Sequence, residues 1–163
     1  MSGAGANQYM TMLDDIYPFN VFEPECDGLP IFAPHWHDEC LELIWITEGR
    51  VELHVGGQAW IGEAGDLAVI GEGVIHSGYI VDKPPTYYTI LLDRHRLAKS
   101  DFMNVASRSL LTGRLHPPVR LRAGDKGYED LVSTIATIVR EYAGKREGYE
   151  IAIKSYCLLY TSD

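Results

Sequence analysis

The chain has 163 residues, 46% of them apolar and 23% charged, enough for one domain with a real core and a helical appendage. Its 23 acidic residues outnumber 14 basic ones for a net charge of −9, and the Lys and Arg are scattered, a poor surface for binding nucleic acid. No stretch approaches the roughly 20 apolar residues that cross a bilayer. The three cysteines (Cys26, Cys40, Cys157) are far apart, which argues against a disulfide framework and for a reducing, cytoplasmic setting.

Residues 1–14 read as a flexible arm. Its start, Met1 to Asn7, is small and polar, without the basic residues and apolar centre of a secretory signal. From about 30 to 95 the chain reads as β-structure. Val51, Leu53 and Val55 alternate with Glu52 and His54, the period-two pattern of a half-buried strand, between turn glycines at Gly49 and Gly56-Gly57. Short apolar runs follow at 67–70, 74–81 and 87–92, punctuated by Gly65-Asp66, Gly71-Glu72-Gly73 and Lys83-Pro84-Pro85. Many short strands with regular breaks predict an antiparallel sandwich or barrel.

After Asp93 the pattern changes. Residues 95–112 are mixed and partly helical in character until Pro117-Pro118. Tyr128, Leu131, Val132, Ile135, Ile138, Val139 and Tyr142 recur at three and four residues and predict one face of a helix ending at Gly144. A second helical pattern runs from Gly148 through Ile151, Ser155 and Leu159. It stops uncapped at Thr161-Ser162-Asp163, directly after the apolar run 157–160, and so reads as cut short.

The chemistry concentrates in His35-Trp36-His37-Asp38-Glu39-Cys40-Leu41-Glu42 and in a later piece from Gly65 to His76. Residues two apart on a strand share a face, so His35 and His37 point the same way. Glu42 is five beyond His37, an odd offset, so it joins them only if Asp38-Glu39 makes a turn or bulge. His76 arrives from another strand. Three imidazoles and a carboxylate converging inside a barrel suit Zn, Fe, Mn or Ni; without an ion, the same groups line a polar ligand pocket.

The spacing His-x-His-x4-Glu-x6-Gly, followed by Gly65, Gly73 and His76, resembles the paired motifs of the cupin superfamily. Gly71 stands where the second motif has proline, and Ile80 where it has its closing asparagine. The resemblance implies a cupin jelly-roll (double-stranded β-helix) over 15–97, followed by two antiparallel helices in 98–163, with His35, His37, Glu42 and His76 on the metal-binding positions. The His-Trp-His-Asp-Glu run, Gly65-Asp66-Leu67, Val74-Ile75-His76-Ser77 and the Gly148-Tyr149-Glu150 start of the second helix are further similar to sensor domains of AraC-type transcription regulators. That likeness implies a non-enzymatic domain. It would bind a sugar or small organic acid at His35, His37, Glu42, His76 and Tyr88 and dimerise through its C-terminal helices. DNA would be reached only through a further helix-turn-helix domain, and no membrane is involved. The alternative is a small metal-dependent cupin enzyme, a dioxygenase or isomerase.

Other residues read more plainly. Cys40 shares the parity of Glu42 and reads as a small buried hydrophobe. His54 reads as exposed, and His95 and His116 have no evident partners. Trp36, Trp45, Trp60, Tyr87 and Tyr88 pack the barrel or stack on a ligand, Tyr88 being the preferred contact. Gly71-x-Gly73 is a turn rather than a phosphate loop, because no Lys-Ser or Lys-Thr follows.

Overall fold

The structure, a computed structural model, describes residues 6–7, 19–26, 28, 30–93, 119–149 and 151–152. In chain order it contains β1 (Ala6–Asn7), β2 (Phe19–Phe22), β3 (Phe32–Trp36), β4 (Cys40–Glu48), β5 (Arg50–Val55) and β6 (Gln58–Glu63). Then come β7 (Leu67–Ile70), β8 (His76–Ile80), β9 (Thr86–Asp93), β10 (Val119–Leu121) and the helix α1 (Tyr128–Gly144). The strands form two five-stranded sheets, β1-β3-β8-β5-β6 and β10-β7-β4-β9-β2. This is the jelly-roll architecture expected of the sequence, mostly β with a helix at the C-terminal side.

Local chemistry explains the corners. Gly56 and Gly57, at φ 55° and 84°, close the hairpin that pairs Val55 with Gln58. A two-residue turn with both φ values positive matches the twist of its strands and favours residues without a Cβ. Gly78 meets a different need. A Cβ there would lie 2.4 Å from the ring of Phe32, so the absence of a side chain on β8 is what seats that ring.

The second sheet is covered on both faces. Ile44 and Ile46 of β4 meet Val51, Leu53 and Val55 of the first sheet and form the barrel interior with Ala68, Ile70 and Tyr87. On the other face, Leu41, Leu43, Leu67, Val69, Ile90 and Leu92 pack against Leu131, Ile135 and Ile138 of α1. The helix is anchored at its start, where the Tyr128 hydroxyl donates to the Gly65 carbonyl at 2.6 Å. Glu129 and Asp130 in its first turn favour the positive end of the helix dipole.

The antiparallel helix pair is not borne out: the described residues hold one helix. Beyond it there is a single turn, in which Ala152 N–H donates to Gly148 O, with the remainder of the second segment outside the described residues. The segment 98–163, expected to be a helical linker with a mixed start, also supplies a strand, β10, which extends the second sheet beside β7. A strand of three residues is too short to show alternation. Of the arm, Ala6 and Asn7 form a strand parallel to β3, with Ala6 opposite His35. The mixed segment with His95 and His116, and the run from Cys157, lie outside the described residues. No described helix is long and apolar enough to cross a membrane.

Candidate metal centre

His35 lies on β3, His37 follows that strand, and both side chains turn into the barrel with ring centroids 4.9 Å apart. The chain then bends at Asp38-Glu39, where Glu39 adopts φ 59°. That bend resets the parity of the next strand, so Glu42 on β4 faces inward despite its odd offset from His37. His76 opens β8, paired directly opposite His35, and its ring lies 4.2 Å from that of His35. Side chains from β3, the residue just after it, β4 and β8, and so from both sheets, therefore meet at one point. His35 and Glu42 are 4% exposed, His37 2% and His76 1%.

Each side chain offers one ligand atom, and the four lie within 4.8 Å of one another. Backbone carbonyls orient two of the rings. His35 Nδ1 lies 2.7 Å from Ala33 O, and His76 Nδ1 lies 2.9 Å from Val74 O. A carbonyl only accepts, so each Nδ1 carries a proton, and each ring turns its Nε2 to the centre, where a lone pair is free to ligate when the ring is neutral. Glu42 Oε2 is 3.0 Å from His37 Nε2 and 2.6 Å from His76 Nε2. These contacts are close but are not aligned as hydrogen bonds. Both His37 nitrogens, Glu42 Oε2 and His76 Nε2 are buried with no hydrogen-bond partner among the described residues. Burying such atoms unpaired costs on the order of 1–3 kcal/mol each. A cation at the shared point satisfies the inward-facing atoms together, so the residues present fit a divalent metal.

The electrostatics agree. Burial alone raises the Glu42 carboxyl, but His37 and His76 beside it outweigh burial and hold it at about 2, so it stays anionic. Burial opposes the charged form of His76, yet the contact with Glu42 prevails and moves that imidazole up. Burial chiefly drives His35 down, which keeps it neutral at pH 7. Three imidazoles and one carboxylate form a mixed N/O donor set suited to Zn, Fe, Mn or Ni.

A cavity of about 470 Å³ opens onto His35 and Glu42 beside the edge strand β2. Phe32, Tyr87, Thr89 and, from α1, Tyr142 contribute to its wall. Burial pushes the Tyr87 hydroxyl well above its ordinary range, so it remains a proton-bearing donor.

Tyr88, the preferred aromatic contact from sequence, is not in this wall. Alternation on β9 sends Tyr87 and Thr89 inward and Tyr88 to the outer face, where it stacks on Trp45 with centroids 5.9 Å apart. Thr89, Phe32 and Tyr142 were not singled out by sequence as pocket residues. With both faces of β9 apolar, the pattern carried no signal for which side looks inward. Cys40 is buried, and burial, followed by the nearby Asp93 and Glu42, pushes its thiol up to about 12. His54 is exposed and contacts Glu52 Oε1 at 2.7 Å.

Residues 25–89 match the family model described as Cupin domain. No curated protein sequence matches the chain. Among solved structures, a double-stranded β-helix protein from Klebsiella pneumoniae is 22% identical over 46% of this chain and 62% of its own, with a TM-score of 0.40. KdgF from Halomonas sp. is 16% identical over 37% of this chain and 56% of its own, at a TM-score of 0.36. Bacillus subtilis oxalate decarboxylase, studied for its Mn(II) centres, is 20% identical over 37% of this chain and 17% of its own, at 0.33. The chain spans less than two thirds of the length of each of these structures.

The expectation of a non-enzymatic domain does not stand. The four residues on the metal-binding positions are all present, buried and convergent, as a metal-dependent centre requires. The likeness to AraC-type sensors rests on sequence alone; what the fold and the family match show is coarser. Across residues 25–89 this chain is similar to the cupin domain, and its two sheets have the matching jelly-roll architecture.

Proposed function

We propose that the chain is a small metal-dependent cupin enzyme, of the dioxygenase or isomerase kind, in which His35, His37, Glu42 and His76 hold one divalent ion. The observation that carries this reading is the convergence of four buried ligand atoms within 4.8 Å. A metal bound there would polarise a substrate oxygen and stabilise negative charge developing on it. The chain's own groups do the rest. Ala33 and Val74 carbonyls orient two imidazoles, and Tyr87 and Thr89 line the same cavity as Glu42.

The test is elemental analysis of untagged protein purified without chelators. One Zn, Fe, Mn or Ni per chain is expected, and His37→Ala should weaken uptake at least about a hundredfold while the protein still folds. Oxygen consumption by the iron-loaded protein with substrate would mark a dioxygenase, and exchange of solvent protons into substrate an isomerase. Folded protein that takes up none of these ions when they are supplied sinks the reading.

A second reading keeps the sensing role. Tyr142 of α1 reaches the same cavity as His35 and Glu42, so a bound sugar or small organic acid would be felt by the helix as well as by the barrel. Its mark would be a concentration-dependent rise in melting temperature with a non-reacting effector, together with a change in oligomeric state.

A further inference from the structure

The cavity itself has a chemical character beyond its four ligands. Among its described wall residues none carries positive charge, and the two charged groups, Glu23 near the mouth and Glu42 at the centre, are both acids. The remaining wall is dominated by rings, from Phe22, Phe32, Tyr87 and Tyr142. Phe32 is held firmly, because its ring sits over Gly78, where any Cβ would collide with it. From there it meets His35 edge-on at 5.9 Å, His76 at 6.0 Å and Tyr87 at 6.1 Å. A fixed aromatic wall thus stands directly beside the ligating imidazoles.

Charge balance narrows the occupant. A divalent ion offset by Glu42 leaves one net positive charge at the centre, which a single negative charge neutralises. A second negative charge in the same buried space would find no described cation and two carboxylates, and burying it unpaired is costly. On the footing of the metal-dependent reading above, we infer that the cavity takes a small aromatic molecule bearing oxygen donors, bound as a single anion with its ring against Phe32. Dianions such as dicarboxylates and phosphate esters are disfavoured. Tyr87 and Thr89 offer the hydroxyl hydrogen bonds, and about 470 Å³ lies within the range that holds a small molecule.

The full chain loaded with one Co2+ provides the test, read by visible absorption as catechol, oxalate and glucose 6-phosphate are titrated separately. Catechol should saturate at one per chain, with a Kd at least about tenfold below that of either dianion. Phe32→Leu should weaken catechol about tenfold without altering Co2+ stoichiometry. Glu23→Arg, a change at an exposed position, should narrow or reverse the preference by improving oxalate and glucose 6-phosphate binding. Oxalate or glucose 6-phosphate binding as tightly as catechol overturns the inference while leaving the metal centre intact. Indifference of both preferences to Glu23→Arg and Phe32→Leu overturns it as well. Failure to take up Co2+ at all removes the metal-dependent reading, and this inference with it.

Discussion

The two faces of the second sheet are built from the same strands by the same alternation, yet they hold different chemistry. The outer face, under α1, is apolar throughout its buried cluster, with Leu41, Leu43, Ile90 and Leu92 against Leu131, Ile135 and Ile138. The inner face begins in the same manner, with Ile44, Ile46, Ala68 and Ile70, then changes to Glu42 and Thr89 where it meets the histidines of the first sheet. Close packing of hydrocarbon accounts for the first face entirely. It does not account for four polar ligand atoms buried at one point, which would weaken a core if nothing bound them. The contrast separates what stabilises this molecule from the groups that could hold a metal.

That separation can be broken by experiment. Ile135, 1% exposed, is a central side chain of the outer cluster. Truncation to alanine should lower unfolding stability by about 3 kcal/mol, the usual cost of deleting buried methylenes and leaving a cavity. Metal stoichiometry of the protein that remains folded should be unchanged, measured by denaturant titration alongside elemental analysis. Were Ile135→Ala to empty the centre of the folded protein, the faces would be coupled and the comparison wrong.

Neighbours on β9 sharpen the same point with a smaller effect. Ile90→Val should cost about 1 kcal/mol of stability, with no change in ligand binding. Thr89→Val keeps the shape but removes a hydroxyl from the cavity wall. It should leave stability nearly unaltered and weaken catechol binding to the Co2+-loaded protein about fivefold, one hydrogen bond's worth. Equal behaviour of the two variants would mean that alternation on β9 does not decide function.

The parts readable from sequence are those where one local rule acts alone. His35 and His37 share a face by period two, and the odd offset to Glu42 demanded the bend that Asp38-Glu39 makes. The α1 stripe from Tyr128 to Tyr142 is read directly from helical spacing. What escaped depends on both faces of an element being buried. Where β4 and β9 lie between a sheet and a helix, apolar residues occupy both parities and the inward side carries no label. Position after Pro85 points to Tyr88, and the strand's own pattern does not distinguish it from Tyr87. β10 escaped because pairing with β7 over three residues is a tertiary fact, set by neighbours rather than by pattern.

Tyr88 supplies the smallest predicted effect and the most direct check of that explanation. It sits beside Trp45 on the outer face, its hydroxyl bonded to Glu23, while the adjoining Tyr87 and Thr89 look into the cavity. Tyr88→Phe keeps the ring and the stack and removes one half-exposed hydrogen bond, so stability should shift by no more than about 0.5 kcal/mol. Catechol affinity and metal content should hold within error, because Glu23 stays in place and the lost hydroxyl is not part of the wall. Tyr87→Phe, one position earlier, removes a hydroxyl that does face Glu42 and should weaken catechol while sparing the metal. If Tyr88→Phe weakens binding and Tyr87→Phe does not, β9 presents its other face to the ligand. The sequence reading of Tyr88 would then be right for a reason the alternation of this strand does not supply.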